Sequence, residues 1–116
     1  MLVAEAWVTV CFRPNAGLAW NAAVWTATSH LMVPESLVGP AGARILCERK
    51  VLTPKGQLEL LPYAGPFTIT VEGRTACVGA VIHDAGIILG RIVLDSLGLK
   101  LERQTERLVS KTPIPV

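Results

Sequence analysis

The residues of this 116-residue chain with the densest chemical potential form one short stretch, Trp25-Thr26-Ala27-Thr28-Ser29-His30. An imidazole serves as a base when a hydroxyl or thiol nucleophile lies within hydrogen-bond reach. The sequence alone places no serine or cysteine as that partner, so His30 reads as a packed or hydrogen-bonded side chain. The indole N–H of Trp25 donates only; it can neither take a proton nor hold a water nucleophile. Two carboxylates brought together can share one proton and so divide the roles of base and acid. Nine acids are present: Glu5, Glu35, Glu48, Glu59, Glu72, Asp84, Asp95, Glu102 and Glu106. Asp84 stands out, in His83-Asp84-Ala85-Gly86, just before an apolar run. It is expected to accept backbone N–H bonds in a turn, with His83 equally unremarkable. Asp95 is expected to face solvent. Cys11, Cys47 and Cys77 are an odd, widely spaced set. They suit neither a disulfide framework nor a zinc site and read as reduced thiols. No metal and no cofactor is expected.

Bulk properties narrow the class. The chain is 51% hydrophobic but only 5% aromatic, with 10 Gly and 8 Pro. Aliphatic, β-branched content broken by turn residues predicts many short strands. A net charge of +2 without a basic run argues against nucleic acid. The mean hydropathy of +0.47 points to a surface buried against another copy or another protein. The window from Pro14 to Pro34 has no Asp, Glu, Lys or Arg, but its Asn, Thr, Ser and His residues make it too polar to span a membrane. With Glu5 and no basic start, the N-terminus does not read as a signal peptide. A cytoplasmic protein is expected.

The elements that must position the Trp25 stretch follow from periodicity. Val3 to Phe12 alternates as a strand, Arg13 to Gly17 turns, and Leu18 to Val24 returns. His30 to Val33 is a short extended run. Pro34-Glu35-Ser36-Leu37 opens one helical turn with Pro first. Arg44 to Leu52 and Gln57 to Tyr63 form a hairpin around Thr53-Pro54-Lys55-Gly56, a β-turn. Ala64-Gly65-Pro66 is expected to break the second strand. Phe67 to Val71 and Arg74 to Ile82 flank a Glu72-Gly73 turn. Ile87-Ile88-Leu89 is an apolar run, and Arg91 to Leu97 a helix stopped by Gly98. Its inward face is expected to use Ile88 and Ile92, with Leu89, Val93 and Leu97. Leu99 to Glu102 alternates, and Glu106 to Val109 pairs back. Trp7 and Trp20 are expected in a core or an interface. One domain over 1–110 and a proline-spaced tail over 111–116 follow. The fold class is all-β with one short late helix, a closed or orthogonal β-barrel.

Four pieces in this order resemble the retropepsin-like aspartic protease family, bacterial type. The first is the N-terminal hairpin leading into Val24-Trp25-Thr26-Ala27-Thr28-Ser29, similar to the family's apolar-Val-Asp-Thr-Gly-Ala-Thr/Ser. The second is the Thr53, Pro54, Lys55, Gly56 hairpin, standing where the family has its substrate-covering flap. The third is Gly65 to Ala76, similar to a hairpin of bacterial members. The fourth, and most specific, is Ile88-Leu89-Gly90-Arg91 running into the helix. The resemblance implies a retropepsin-like acid-protease fold.

It also implies a site that this chain departs from. Family chemistry takes one Asp from each copy of a dimer; here Trp25 stands at that position and Ala27 replaces the glycine. Three functions follow as expectations. The first is a catalytically inactive domain serving as a structural or interaction subunit, with itself or other protein subunits as partners. The second is an active aspartic peptidase, should Trp25 not be native or another acid serve. The third is a module that binds an extended peptide by its flap hairpin and cleft. In the family, the threonine matching Thr26 cross-links the loops of two copies. The arginine matching Arg91 often pairs with an acid, but Ser29 stands at the acid's position.

Overall fold

A computed structural model describes residues 4–13, 19–53, 55–102 and 104–110. Nine strands, one 3-10 turn and one helix are described: β1 (Ala6–Phe12), β2 (Trp20–Val24), β3 (Leu31–Val33), the turn Glu35–Leu37, β4 (Arg44–Leu52), β5 (Leu58–Val71), β6 (Arg74–Ile82), β7 (Ile87–Leu89), α1 (Arg91–Leu97), β8 (Leu99–Glu102) and β9 (Arg107–Ser110). The main sheet runs β1-β2-β7-β3-β6-β5-β4, and β1 also pairs with β5. That extra pairing, Val10 opposite Val71 and Phe12 opposite Ile69, closes six strands into a barrel and leaves β4 outside as an edge. Closure removes the exposed edges of the six strands, the usual solution for a small all-β chain.

The alternation read in β1 is what fills the barrel. Ala6, Val10 and Phe12 are buried, whereas Trp7 and Thr9 face out. Phe12 meets Trp20 and Phe67 edge-on, with ring centroids 5.7 and 6.0 Å apart, a favoured geometry for aromatic pairs. Val24, Leu31, Val33, Ile69, Val71 and Leu89 complete this core. Each fully buried aliphatic side chain contributes about 1.5–3 kcal/mol relative to exposure.

Several expectations need correcting. Ala64-Gly65-Pro66 does not end a strand: β5 continues through it, with a register shift between Ala64 and Phe67. One long strand thereby serves both the barrel and the flap hairpin, the shift accommodating a change of direction. Trp7 is 68% exposed, so of the core and the interface expected for it only the core is ruled out. Helix α1 buries Val93, Leu94 and Leu97, while Ile92 is 52% exposed. Positions 93, 94 and 97 share one face at the 3.6-residue period, and 92 lies round the side. Pro34 caps the 3-10 turn with extended backbone rather than opening it. The tail over 111–116 and most of the first turn lie outside the described residues. Among the described residues, no helix is long and apolar enough to cross a membrane.

Helix α1 is fixed at its far end by Arg74, whose Nη1 donates to the carbonyls of Leu97 and Gly98 at 3.1 and 3.2 Å. Those carbonyls lack helical partners, so a cation there satisfies them. Gly98 has φ 69°, the left-handed region, and a Cβ there would lie 2.7 Å from Arg74 Nη1. The glycine stop read from sequence therefore also makes room for the arginine.

A loop pinned beneath the barrel strands

Strand β2 delivers Trp25. Its N–H donates to the carbonyl of Leu89 at 3.1 Å, extending the parallel β2–β7 pairing by one residue. The chain then turns, with Thr28 N–H donating to the Trp25 carbonyl at 3.4 Å. The first N–H groups of α1 meet this turn: Arg91 N–H donates to Thr28 O at 3.0 Å and Ile92 N–H to Ser29 O at 2.8 Å. Helix N-termini have such donors to spare. A Cβ at Gly90 would overlap the carbonyl oxygen of His30 and lie 2.8 Å from the His30 nitrogen and the Ser29 carbonyl carbon. The glycine of Ile88-Leu89-Gly90-Arg91 is required by this close approach, since its φ of −89° suits any residue. Ile88 and Leu89 are fully buried. Arg91 contributes through its backbone, and its exposed side chain rims a hollow shared with Thr26, Leu94 and Asp95.

Thr26 points two donors at one acceptor. Its N–H and hydroxyl lie 2.6 and 2.7 Å from Glu5 Oε1. The Thr26 hydroxyl thus donates to a carboxylate of its own chain. In the sequence Glu5 is one acid among nine and is not tied to this loop. The signal was in the hairpin register: Ala6 lies opposite Val24, and Glu5 N–H donates to the Val24 carbonyl at 2.9 Å. That places Glu5 beside the loop that follows Val24.

Trp25 is half-buried against a second apolar cluster of Ala23, Met32, Val51, Val81 and Ile88, with Leu61 and Tyr63 alongside. Val51 comes from β4, and Leu61 and Tyr63 from β5, so the flap hairpin helps to enclose the cluster that the indole joins. Ala27 is exposed and Thr28 is buried.

His30 does have a hydroxyl neighbour: Ser29 Oγ lies 2.9 Å from its Nδ1. Consecutive residues of an extended segment usually point apart, so adjacency in sequence does not announce this pair. The imidazole also meets Tyr63 edge-on at 6.2 Å, and the Arg49 guanidinium sits 4.3 Å over that tyrosine's ring. Burial first, and then the charge of Arg49, hold the His30 pKa below its ordinary value. An imidazole acting as general base carries positive charge after taking a proton, and an orienting carboxylate normally supports it. Here a cation opposes it, and the hollow of about 250 Å³ beside His30 is lined by Leu31, Arg49, Tyr63, Val78, Gly79, Ile92 and Val93, without an acid. The Ser29–His30 pair is therefore a poor nucleophilic dyad.

At the flap tip, Thr53 N–H donates to Gln57 O at 2.8 Å and Gly56 N–H to Thr53 O at 2.9 Å. Gly56 has φ 81°, as its turn position requires. Lys55 is exposed, and Pro54 lies outside the described residues. Thr53 is fully buried, and its hydroxyl has no partner among the described residues. Asp84 is exposed and lines a hollow with Glu35, Lys55, Glu59, Leu61 and His83. His83 Nδ1 accepts the Ala85 N–H at 3.2 Å, closing the turn expected there. None of residues 25–29 lines that hollow. Cys11, Cys47 and Cys77 are free thiols. No metal-binding group of three or more His, Cys, Asp or Glu occurs among the described residues.

Six strands closed into a barrel, a flap hairpin outside it and one late helix against the Trp25 loop are the retropepsin-like fold. In solved structures the chain is similar to the retroviral protease-like domain of Ddi1 from Leishmania major, with a TM-score of 0.65 over 96% of this chain and 91% of that one. The two sequences are 10% identical, so the likeness is one of fold. No protein-family model matches the sequence, and no curated protein does.

Proposed function

We propose that this is a catalytically inactive retropepsin-like domain, acting as a structural or interaction subunit of a homodimer or a larger protein assembly. The observation that carries the reading is Trp25. At the position where the resemblance places the catalytic Asp, an indole packs against Met32, Val51, Val81 and Ile88. The carboxylate bonded to this loop, Glu5, already accepts from Thr26 N–H and O–H on one oxygen. A water nucleophile needs an unprotonated acceptor aimed at it, and Trp25 offers none. The scaffold around the loop is kept, as scaffolds are when their chemistry is not. Peptidase assay of the chain, beside a Trp25→Asp, Ala27→Gly variant, tests this. Pepstatin-sensitive cleavage by the natural chain overturns it.

A further inference from the structure

Strand β4 is the outer edge of the main sheet among the described residues, and all of it except Val51 is exposed. A long edge strand presents unpaired N–H and C=O groups and is a template for another strand. The direction of those groups can be read from the hairpin. Thr53 N–H donates across to Gln57 O. Because antiparallel pairing alternates, the backbone groups of 47, 49, 51 and 53 face β5, and those of 48, 50 and 52 face outward.

The same outward residues share one sheet face with Leu58, Leu60 and Pro62, through the pairs Leu52–Leu58, Lys50–Leu60 and Glu48–Pro62. Leu52, Leu58 and Leu60 are 37, 64 and 62% exposed. The irregularity in β4 lies between Ile45 and Cys47, so nothing interrupts the edge from Cys47 to Leu52.

A second copy related by a two-fold axis perpendicular to the sheet keeps outward residues opposite outward residues. Three symmetric registers then set the outward charges, Glu48 and Lys50, opposite one another. They set Glu48 opposite Glu48, Glu48 opposite Lys50, or Lys50 opposite Lys50. The first and third oppose like charges, which destabilises a cross-strand pair; the second makes two opposite-charge pairs. It also brings Arg49 to the axis, on the other face, where each guanidinium is drawn back over its own chain's Tyr63.

We propose that the chain dimerises by antiparallel pairing of β4 with β4 of a second copy, Glu48 of each facing Lys50 of the other. This deepens the interaction-subunit reading and rests on it. Sedimentation equilibrium of the full chain, with Glu48→Lys, Lys50→Glu and the double variant, tests it. Each single reversal turns two attractive pairs into two repulsive ones, and the dimer dissociation constant rises about tenfold or more. The double variant restores the pairs and returns to within about threefold of the natural chain. Independently, Arg49→Cys, with Cys47 and Cys77 made serine, forms an intermolecular disulfide. The axial pair then lies at about 4.5 Å between Cα atoms, within disulfide range. A dimer indifferent to both reversals and giving no 49–49 disulfide overturns the edge pairing while leaving self-association standing. A monomer at micromolar concentration, or one that instead pairs with an added extended peptide, also overturns it. Peptidase activity would instead strike at the reading beneath it.

Discussion

Gly90→Ala probes how the loop is held. The native φ and ψ of Gly90, −89° and −175°, suit alanine, so the substitution adds no backbone strain of its own. Its Cβ would nevertheless overlap the His30 carbonyl oxygen and approach the His30 nitrogen and Ser29 carbonyl carbon at 2.8 Å, and all three are backbone atoms. Backbone cannot swing aside as a side chain can, so residues 28–30 must move away from the helix. That movement strains the bonds from Arg91 and Ile92 N–H to Thr28 and Ser29. Overpacking costs about 1–3 kcal/mol, and two weakened hydrogen bonds add about 1 kcal/mol each at most. The expected loss is about 3 kcal/mol, or roughly 10 °C or more in Tm for a domain of this size. Gly39→Ala is the matched control, because a Cβ there meets nothing within 4 Å and its φ is not left-handed. Thermal unfolding of both by calorimetry decides the matter. If Gly90→Ala melts within about 2 °C of Gly39→Ala, a difference worth under 1 kcal/mol, the loop is not clamped as described.

Other substitutions read other contacts. Glu5→Ala leaves the Thr26 N–H and hydroxyl without their acceptor and is expected to cost about 1–3 kcal/mol in chemical denaturation; an unchanged midpoint would refute the clasp. Thr53→Val removes a buried hydroxyl without a partner among the described residues, at constant shape, and is expected to add about 1 kcal/mol of stability, read as a higher midpoint, with a fall counting against the burial. For His30, the folded-state pKa lies below the unfolded value of 6.5. Its neutral form therefore supports stability fully above that value, and the support is lost as pH falls below it towards the folded pKa. Arg49→Gln removes the second cause and is expected to raise the His30 pKa in an NMR titration; no rise would show that Arg49 does not act on it. A Cβ at Gly79 would overlap the Tyr63 ring and hydroxyl. Gly79→Ala is thus expected to displace that ring and abolish its NMR contacts with His30.

Much of the barrel was legible because its determinants are local. Alternation in β1, the Glu72-Gly73 turn with φ of 51° and 74°, and the glycine stop of α1 each announce themselves within a few residues. What escaped depends on partners distant in the chain. Glu5 reaches Thr26 only through the β1–β2 register, and β5 runs past Gly65-Pro66 because β4 and β6 hold it on either side. Ile92 was misplaced because a seven-residue helix has too few turns for its apolar positions to define one face alone. Gly79 carried no visible signal: only the folded sheet lays Tyr63 across it. Of the candidate site, the run of Ile88-Leu89-Gly90-Arg91 into a helix was readable, whereas the close approach that requires Gly90 and the closure of Val51, Leu61 and Tyr63 around the cluster beside Trp25 required the folded chain.

The most direct test of the account is cleavage of a diverse peptide library by the purified natural chain, from acidic to neutral pH, with and without pepstatin. With Trp25 in the loop, no pepstatin-sensitive product is expected at any pH. Cleavage that pepstatin abolishes, and that Trp25→Ala leaves intact, would contradict it and require another acid at the centre of the site.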